Sequence, residues 1–310
     1  MQRLTLAGGV PDNLRGSIVA LGNFDGYHLG HQAVVVRALA RGFHERRPVL
    51  VATFDPHPVR LFKPAVPPFR LTTLDQREEL FAHAGADAML VFEFDAALAA
   101  MDAEGFVSEV LANRIGAAGV VTGDDFSFGK GRGGDVALLK SIGAAKGVAA
   151  ETVPQVLVDG VRVSSGRVRD ALIAGDTATA THMLSRPYTI AGVVQPGDRR
   201  GRALGYPTAN LDLGDYQRPR YGIYAVRATL EDGSEHPGVA SLGVRPTFDP
   251  PTELLEAHLL DYNGDLYGQH IEVALHAFSR PEQKFESIDA LVAEMRNDEE
   301  RARRLLALPA

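Results

Sequence analysis

The stretch LGNFDGYHLGH, residues 21–31, contains three glycines, one acid and two histidines, and it continues the apolar run SIVALG, residues 17–22. Beyond it, apolar residues recur at helical spacing through residues 28–43. This order predicts a strand, a tight turn and a helix. Because His28 and His31 are three residues apart, they share one face of the first helical turn.

The start of a helix is a chemically distinct place for two imidazoles. Its first backbone N–H groups have no partner within the helix, so such a corner attracts phosphate. Gly22 and Gly26 permit a tight turn and close backbone approach, while Asn23 and His28 add donors. Phosphoryl and nucleotidyl transfer need donors of this kind around developing charge. Two alternatives stay open, namely ordinary surface histidines and a metal site, although helical metal ligands usually have HxxxH spacing.

The chain has 310 residues, which exceeds a typical single domain and predicts two domains. Strand and helix patterns alternate from residue 17 onward, and we assign the first domain to residues 1–185. PVLVATF, residues 48–54, predicts a buried strand, and Thr73 with Gln76 predicts a capping box at a helix start. This alternation predicts a Rossmann-like α/β domain whose parallel sheet binds ligands at the carboxyl ends of its strands.

The alternation of strand and helix patterns ends near SRPY, residues 185–188, which we interpret as a linker. Short strand patterns with few helices between them then predict a β-barrel domain over residues 186–310. One helix closes the chain, with Ser287 as its cap. The charged segment RNDEERARR, residues 296–304, is most simply a solvated face of that helix.

Composition limits the function classes. Hydrophobic residues make up 45% and charged residues 23%, which argues against long disorder, and the net charge of −7 argues against a nucleic-acid partner. No window approaches the roughly 18 apolar residues of a membrane span, and no signal-peptide pattern is present. With no cysteine, a disulfide, a thiolate metal site and a cysteine nucleophile are excluded. We therefore expect a cytoplasmic enzyme with no membrane partner, and the oligomeric state stays open.

Three segments resemble motifs of the nucleotidyltransferase superfamily. GNFDGYHLGH resembles its G-x-F-D-x-x-H-x-G-H signature, GDDFSFGKGRGG (residues 123–134) resembles its G-x-[DN]-F-x-F-G segment, and VSSGRVR (residues 163–169) resembles its I-S-S-T-x-I-R motif. The resemblance implies that His28 and His31 are catalytic and hold the ATP triphosphate together with the last arginine of the third motif. It also implies nucleotide-binding roles for these motif residues: Gly22, Asn23, Phe24, Gly123, Asp125, Ser164, Ser165 and Arg169.

The third motif departs from the superfamily at one position. Gly166 stands where the motif has threonine, so one hydroxyl donor is absent. Apart from the resemblance, Ser164 and Ser165 before a charged segment also form an ordinary helix cap. A cap and a phosphate site can be the same structure.

Two loops carry further patterns. The glycines of residues 129–134 match G-x-G-x-x-G, but a dinucleotide fingerprint opens the helix after the first strand, so we interpret this segment as a basic loop beside phosphate. The proline-rich segment 53–70 follows a strand end, where an α/β sheet binds ligands. Phe54, Phe62 and Phe128 are candidates to flank a planar aromatic ligand, or equally to anchor loops on the core.

The second half resembles a different family. GRALGYPTANL, residues 201–211, resembles the G-x-P-T-A-N signature of riboflavin kinases, although the local pattern alone predicts a turn. SLGVRPTF, LEAHLLDYNGDLYG and RPEQKF follow in that family's order. The resemblance implies that Thr208 and Asn210 coordinate the Mg²⁺ bound to ATP, with Gly205 at the nucleotide. It also implies that Glu256 takes a proton from the 5′-hydroxyl of riboflavin.

Strand parity bears on the glutamate independently. Glu256, His258 and Leu260 share one strand face, and the opposite, core-facing residues are Leu255, Ala257 and Leu259. A glutamate in an alternating strand is most often solvent-facing, so parity permits either a surface role or a catalytic one.

Together the two halves resemble the family of bifunctional bacterial flavin kinases and FAD synthetases over nearly the whole chain. This resemblance implies conversion of riboflavin to FMN and then of FMN to FAD, with riboflavin, FMN, ATP and Mg²⁺ as the small-molecule partners. The main alternative is an FMN adenylyltransferase whose barrel only binds flavin. A nucleotidyltransferase for another acceptor leaves the second domain unexplained, and a non-enzymatic flavin carrier would not need the triphosphate residues.

Overall fold

A computed structural model describes residues 1–196, 205–245 and 252–308. Its internal contacts divide the chain into two compact units. The first unit consists of Met1–Pro67 and Thr72–Ser164, and the second consists of Pro68–Leu71 and Ser165–Ala310. The division by contacts therefore falls after Ser164, and the domain boundary after residue 185 stays a prediction.

The first unit alternates strands and helices. Its strands are β1 (Gln2–Thr5), β2 (Ile18–Leu21), β3 (Val49–Asp55), β4 (Ala88–Glu93), β5 (Gly119–Gly123), β6 (Ala149–Val153), β7 (Leu157–Val158) and β8 (Val161–Arg162). Its helices are α1 (Leu29–Glu45), α2 (Pro58–Phe62), α3 (Leu74–Ala84), α4 (Ala96–Ala100), α5 (Ala103–Gly105, continued by a wider π-helical segment Phe106–Ile115) and α6 (Val136–Ala145). The predicted capping box is present, because Thr73 and Gln76 each bond the other's backbone N–H.

In the described part of this unit, β1 to β6 form one parallel sheet in the order β1-β4-β3-β2-β5-β6. Alternate strand residues are buried on opposite faces. One face packs against α1 and α3, and the other packs against Phe106–Ile115 and α6. From β2 the chain passes to β3 on one side, while β5 lies on the other, so a ligand-binding switch point lies between β2 and β5. This confirms the predicted Rossmann-like domain.

The second unit contains an antiparallel barrel. Its elements are α7 (Ser165–Ala174), α8 (Thr177–Leu184), β9 (Tyr188–Val193), β10 (Ala209–Asp212), β11 (Gly222–Thr229), β12 (Glu235–Arg245), β13 (Thr252–Leu259), β14 (His270–Arg280) and α9 (Ile288–Leu305). The strands follow the order β10-β13-β12-β11-β14-β9. Gln195 N donates to Asn210 O at 2.9 Å, which bridges the two sheet edges and nearly closes the barrel, as predicted.

Two strands depart from the predictions. β1 lies at the edge of the parallel sheet, paired with β4, in a region for which no strand was predicted. β10 occupies the end of the segment 201–211, where the local pattern predicted a turn. The prediction was wrong for residues 209–211, because Ala209 and Leu211 are buried and pair with β13, a contact between distant parts of the chain. Among the described helices, none combines the length and the apolar character needed to cross a membrane.

The solvated face predicted for residues 296–304 was wrong at Ala302 and at Asp298. Ala302 is only 2% exposed, and Asp298 is only 4% exposed. Its carboxylate accepts from Arg280 Nη2 on β14 at 2.6 Å and from Arg301 Nη2 at 2.6 Å. Two guanidinium groups thus compensate the charge of a carboxylate that docks α9 against the barrel.

We expect Asp298→Ala to destabilise the second unit. Arg280 and Arg301 would keep Glu294 as an acidic partner but would lose their charge-assisted bonds to Asp298, so the free energy of unfolding should fall by about 2 kcal/mol. Glu300→Ala is the control, because Glu300 lies exposed on the same helix, 4.0 Å from Arg304. Chemical denaturation measures both, and equal, small effects of the two substitutions would contradict this role for Asp298.

Candidate functional site

The turn after β2 is held in an unusual backbone conformation. Phe24, Gly26 and Tyr27 have φ values of 51°, 85° and 44°, in the left-handed region. For the two aromatic residues this conformation costs of order 1 kcal/mol or more each, and surrounding contacts must fix it. Their rings are buried against Phe81, with centroid distances of 5.7 Å and 5.2 Å. The aromatic anchors therefore hold a turn that leaves Asn23 exposed.

Asp25, the acid of the motif, points into the protein. Its buried carboxylate accepts from the backbone N–H of Thr72 at 3.1 Å, and the Thr72 hydroxyl accepts from Gly26 N at 2.9 Å. These bonds join the turn to the segment before α3. Asp25 thus stabilises the turn.

The two histidines stack at the start of α1. Their ring centroids are 3.7 Å apart with an interplanar angle of 16°, and the edge of Phe24 meets His31 at 5.3 Å. His28 is the N-cap and is 6% exposed; its Nδ1 accepts from the backbone N–H of His31 at 3.3 Å. A neutral His28 ring therefore carries its proton on Nε2, which is a hydrogen-bond donor. The pair combines ring donors with the helix N-terminus at the switch point.

Gly30 leaves space for the ring of His28. A Cβ at position 30 would lie 3.1 Å from Cε1 and 3.2 Å from Nδ1 of His28. We expect Gly30→Ala to shift this ring by a few tenths of an ångström and to slow the adenylyl transfer that the motif resemblance implies about tenfold, since small misplacements of positioned groups are costly. Steady-state rates of FAD formation test this. Ala40→Ser, at an exposed position of the same helix, is the control, and a Gly30→Ala enzyme as fast as this control would contradict the prediction.

The end of β5 approaches the same edge of the sheet. Thr122 Oγ1 donates to Leu21 O at 2.9 Å and joins the ends of β5 and β2. Two residues after Gly123 at the end of β5, Asp125 forms an ion pair with Arg162. A Cβ on Gly30 would lie 3.8 Å from the carbonyl oxygen of Val163. Val163 thus lies beside the start of α1, and the adjacent Ser164 belongs to the same unit.

Other predicted residues are placed differently. Ser165 begins α7, and Arg169 on the same helix donates from Nε to Phe69 O at 2.7 Å; both lie in the second unit. Phe62 is 66% exposed at the end of α2, with its ring 6.0 Å from that of Phe94. Phe128 is 7% exposed and belongs to the hydrophobic core. Phe62 is thus the more accessible ring for a ligand, and all four roles stay predictions.

The second unit brings Asn210 and Glu256 together. Asn210 on β10 and Ser241 on β12 are the register partners of Glu256 on β13, so the three side chains share one face of the barrel. Asn210 is 6% exposed, and its Oδ1 has no hydrogen-bond partner among the residues that the structure describes. A buried amide oxygen without a donor suits a cation.

The PTAN segment is fixed beside this face. Pro207 O accepts from His258 Nδ1 at 2.8 Å, and the His258 ring lies 5.1 Å from that of Tyr206. Thr208 is partly buried, and Gly205 has a φ of 86°, which favours glycine. The remainder of the GRALG segment, residues 201–204, lies outside the described residues.

The predicted parity of β13 is confirmed along the strand. The core-facing residues are fully or almost fully buried: Leu255, Ala257 and Leu259. Glu256 and His258 on the other face are partly exposed. Leu260 was wrongly grouped with them; it is buried because β13 ends at Leu259 and alternation stops there.

A second carboxylate on β13 was not predicted. Glu253 accepts from Arg218 Nε at 2.8 Å and from the hydroxyl of Tyr221. Burial and the Glu253 carboxylate raise the pKa of Tyr221 to about 12. Burial opposes ionisation of Glu253, but the bonds from Tyr221 and Arg218 outweigh it and lower the pKa of Glu253. No local sequence pattern could have predicted this cluster, because Arg218 and Glu253 are 35 residues apart.

Comparison with known families covers both units. Residues 10–167 match the family model described as FAD synthetase, and residues 184–306 match the one described as riboflavin kinase. The bifunctional riboflavin kinase/FMN adenylyltransferase of Escherichia coli (strain K12) is 40% identical over 293 residues, and the alignment covers 94% of each chain. The protein of the same name from Pseudomonas fluorescens is 40% identical over 294 residues, again 94% of each chain.

A solved structure supports the same conclusion on the fold. The crystal structure titled as a macrolide-efflux protein from Streptococcus pneumoniae has a TM-score of 0.87 and 28% identity, covering 98% of this chain and 99% of that one. Both halves of the fold, in this order, are therefore shared over the full alignment. With the two family matches and the relatives, this shows that the chain belongs to the family of bifunctional riboflavin kinase/FMN adenylyltransferases.

Proposed function

We propose that the chain makes FAD from riboflavin in two steps at two separate sites. The barrel transfers the γ-phosphoryl group of ATP to riboflavin, giving FMN and ADP. The Rossmann-like unit then transfers the adenylyl group of a second ATP to FMN, giving FAD and pyrophosphate. The observation that carries this proposal is that each family match covers a folded unit with its own polar site, the histidine pair in one and the Asn210–Glu256 face in the other.

In the first step, Glu256 acts as the general base. Its carboxylate takes the proton of the riboflavin 5′-hydroxyl as that oxygen attacks the γ-phosphorus. The new O–P bond replaces the bond to the bridging oxygen of ATP, and ADP leaves with that electron pair. The position of Glu256 on the polar face of β13, between Asn210 and Ser241, supports this role.

Magnesium fits the residues beside Glu256. Mg²⁺ prefers hard oxygen ligands, and Thr208 and Asn210 offer a hydroxyl and a buried amide oxygen. The Asn210 Oδ1 atom, which no described residue satisfies, is the observation that favours a cation there. When bound with ATP, Mg²⁺ would neutralise phosphate charge. Across the described residues no group of three histidines or acids could hold a metal, so further ligands would come from ATP and water.

In the second step, no protein nucleophile is needed. A phosphate oxygen of FMN attacks the α-phosphorus of ATP, and pyrophosphate leaves with the electrons of the broken P–O bond. His28 and His31 would donate to the phosphate oxygens and offset the charge that develops on them. The helix N-terminus of α1 and Ser164 of the same unit would extend this donor set. The nucleotide-binding roles of Ser165 and Arg169, and the effect of the hydroxyl missing at Gly166, are what the motif resemblance implies.

The remaining assignments complete the proposal. Gly22, Asn23 and Phe24 shape the turn that binds the nucleotide. Gly123 and Asp125 border the same nucleotide. In the barrel, Gly205 borders the nucleotide of the kinase site. Phe62, as an exposed ring, is the better candidate to stack on a flavin, while Phe128 would support the loop from the core. We place the enzyme in the cytoplasm, with its functional boundary after residue 185.

A chromatographic time course of flavins tests the proposal. The purified chain is mixed with riboflavin, ATP and Mg²⁺, and a parallel sample receives FMN in place of riboflavin. We expect FMN to appear and then convert to FAD in the first sample, and FAD to form directly in the second. Excess EDTA should stop the first reaction. If riboflavin stays unchanged while FMN becomes FAD, the barrel only binds flavin and the kinase assignment fails.

A further inference from the structure

Arg77 is a buried cation behind the histidine turn. It lies on α3 and is only 3% exposed. Its Nη1 donates to Thr53 Oγ1 at 2.7 Å and to Asn23 O at 3.3 Å. The Thr53 hydroxyl in turn donates to the same Asn23 carbonyl at 2.8 Å. The guanidinium, the hydroxyl and the carbonyl therefore form a closed set of hydrogen bonds.

The acceptors of Arg77 lie at the ligand-binding edge of the sheet. Asn23 opens the turn that follows β2, and Thr53 lies near the carboxyl end of the adjacent strand β3. Asp55 ends β3, and its Oδ1 lies 3.8 Å from Arg77 Nη2. One guanidinium thus contacts the ends of two neighbouring parallel strands. This is the edge at which open α/β sheets bind ligands.

Burial of an arginine calls for an explanation beyond stability. A guanidinium keeps its charge in proteins, so taking it out of water carries a large desolvation cost. An apolar side chain of similar volume is often as stabilising at such a position. Its planar set of donors, however, can fix several acceptors in one geometry, which a flexible ammonium or an apolar group cannot do.

We propose that Arg77 is a positioning residue for adenylyl transfer. It holds the Asn23 carbonyl, and through it the left-handed turn that carries His28 and His31 to the nucleotide. We assign Arg77 no contact with substrate, because it is only 3% exposed and its Nη1 donates to Thr53 and Asn23. This inference rests on the proposed function of the first unit.

Three substitutions test the inference. Arg77→Met removes the donors and the charge, Arg77→Lys keeps the charge without the planar fork, and Thr53→Val removes the hydroxyl that links Arg77 to Asn23. The control is Arg47→Lys, because Arg47 also donates to a carbonyl, Gly16 O at 2.9 Å, but lies at the surface away from the turn. Riboflavin phosphorylation in the same samples is an internal control for the concentration of intact chain.

We expect Arg77→Met to lower kcat/KM for FMN adenylylation by about ten- to a hundredfold and to raise KM for ATP. The reason is that the ring donors of His28 and His31 would be misplaced. Arg77→Lys should be intermediate, Thr53→Val should change KM in the same direction, and Arg47→Lys should match the parent. A merely structural role would instead lower the active fraction and leave KM unchanged. Parent-like kinetics of Arg77→Met, or a fall in rate without any change in KM in all three variants, would overturn the inference. A parent enzyme that leaves FMN unchanged would remove the proposed function, and this inference with it.

Discussion

His31→Ala should lose FAD formation while it still phosphorylates riboflavin. Removing one preorganised donor to a developing charge costs about 10²–10³ in rate, and His31 shares its donor surface with the stacked ring of His28. The proposed kinase site, the Asn210–Glu256 face, lies in the other unit and includes neither histidine. FMN should therefore accumulate from riboflavin, and added FMN should convert at less than about a hundredth of the parent rate.

His44→Ala is the matched control for this substitution. His44 is exposed near the C-terminal end of the same helix, α1, whereas His31 lies near its N-terminal end. It should leave both reactions unchanged. If a folded His31→Ala enzyme loses FMN and FAD formation equally, the division of labour between the units is wrong.

Glu256→Gln should lose riboflavin phosphorylation while it still converts FMN to FAD, the reverse of His31→Ala. The amide preserves the size of the side chain but cannot accept the hydroxyl proton, and loss of a general base costs about 10²–10⁴ in rate. FMN formation from riboflavin should fall by this factor, yet supplied FMN should still be adenylated. Rates of FMN formation and of FAD formation from FMN, measured separately, check the prediction.

Glu235→Gln is the control in the barrel. Glu235 begins β12 and pairs with Arg227 at the surface, at 3.1 Å. It should phosphorylate riboflavin like the parent. A Glu256→Gln enzyme with the parent rate of phosphorylation would exclude Glu256 from the mechanism.

Much of the fold could be predicted because its signals are local. Apolar runs identified β2 and β3, and the Thr73–Gln76 capping box marked the start of α3. β10 could not be found in this way, because its buried residues gain their environment from β13. The same reason explains Asp298, whose partner Arg280 is 18 residues away on a strand.

The candidate site was predictable only where a motif runs without interruption. The histidine turn and the PTAN segment are such motifs, and their chemistry follows from residues a few positions apart. The supporting contacts are non-local: Asp25 and Thr72 are 47 residues apart, and Arg77 and Asn23 are 54 apart. No periodicity in the sequence relates these pairs, so the buried arginine behind the turn emerged only from the fold.

The most direct test of two independent sites is to mix the two defective enzymes. His31→Ala alone should convert riboflavin to FMN and stop, and Glu256→Gln alone should leave riboflavin almost unchanged. Together, with riboflavin, ATP and Mg²⁺, they should produce FAD, because one variant releases the FMN that the other adenylates. If the mixture forms no FAD although each variant is folded, the assignment of the two reactions to the two units is contradicted.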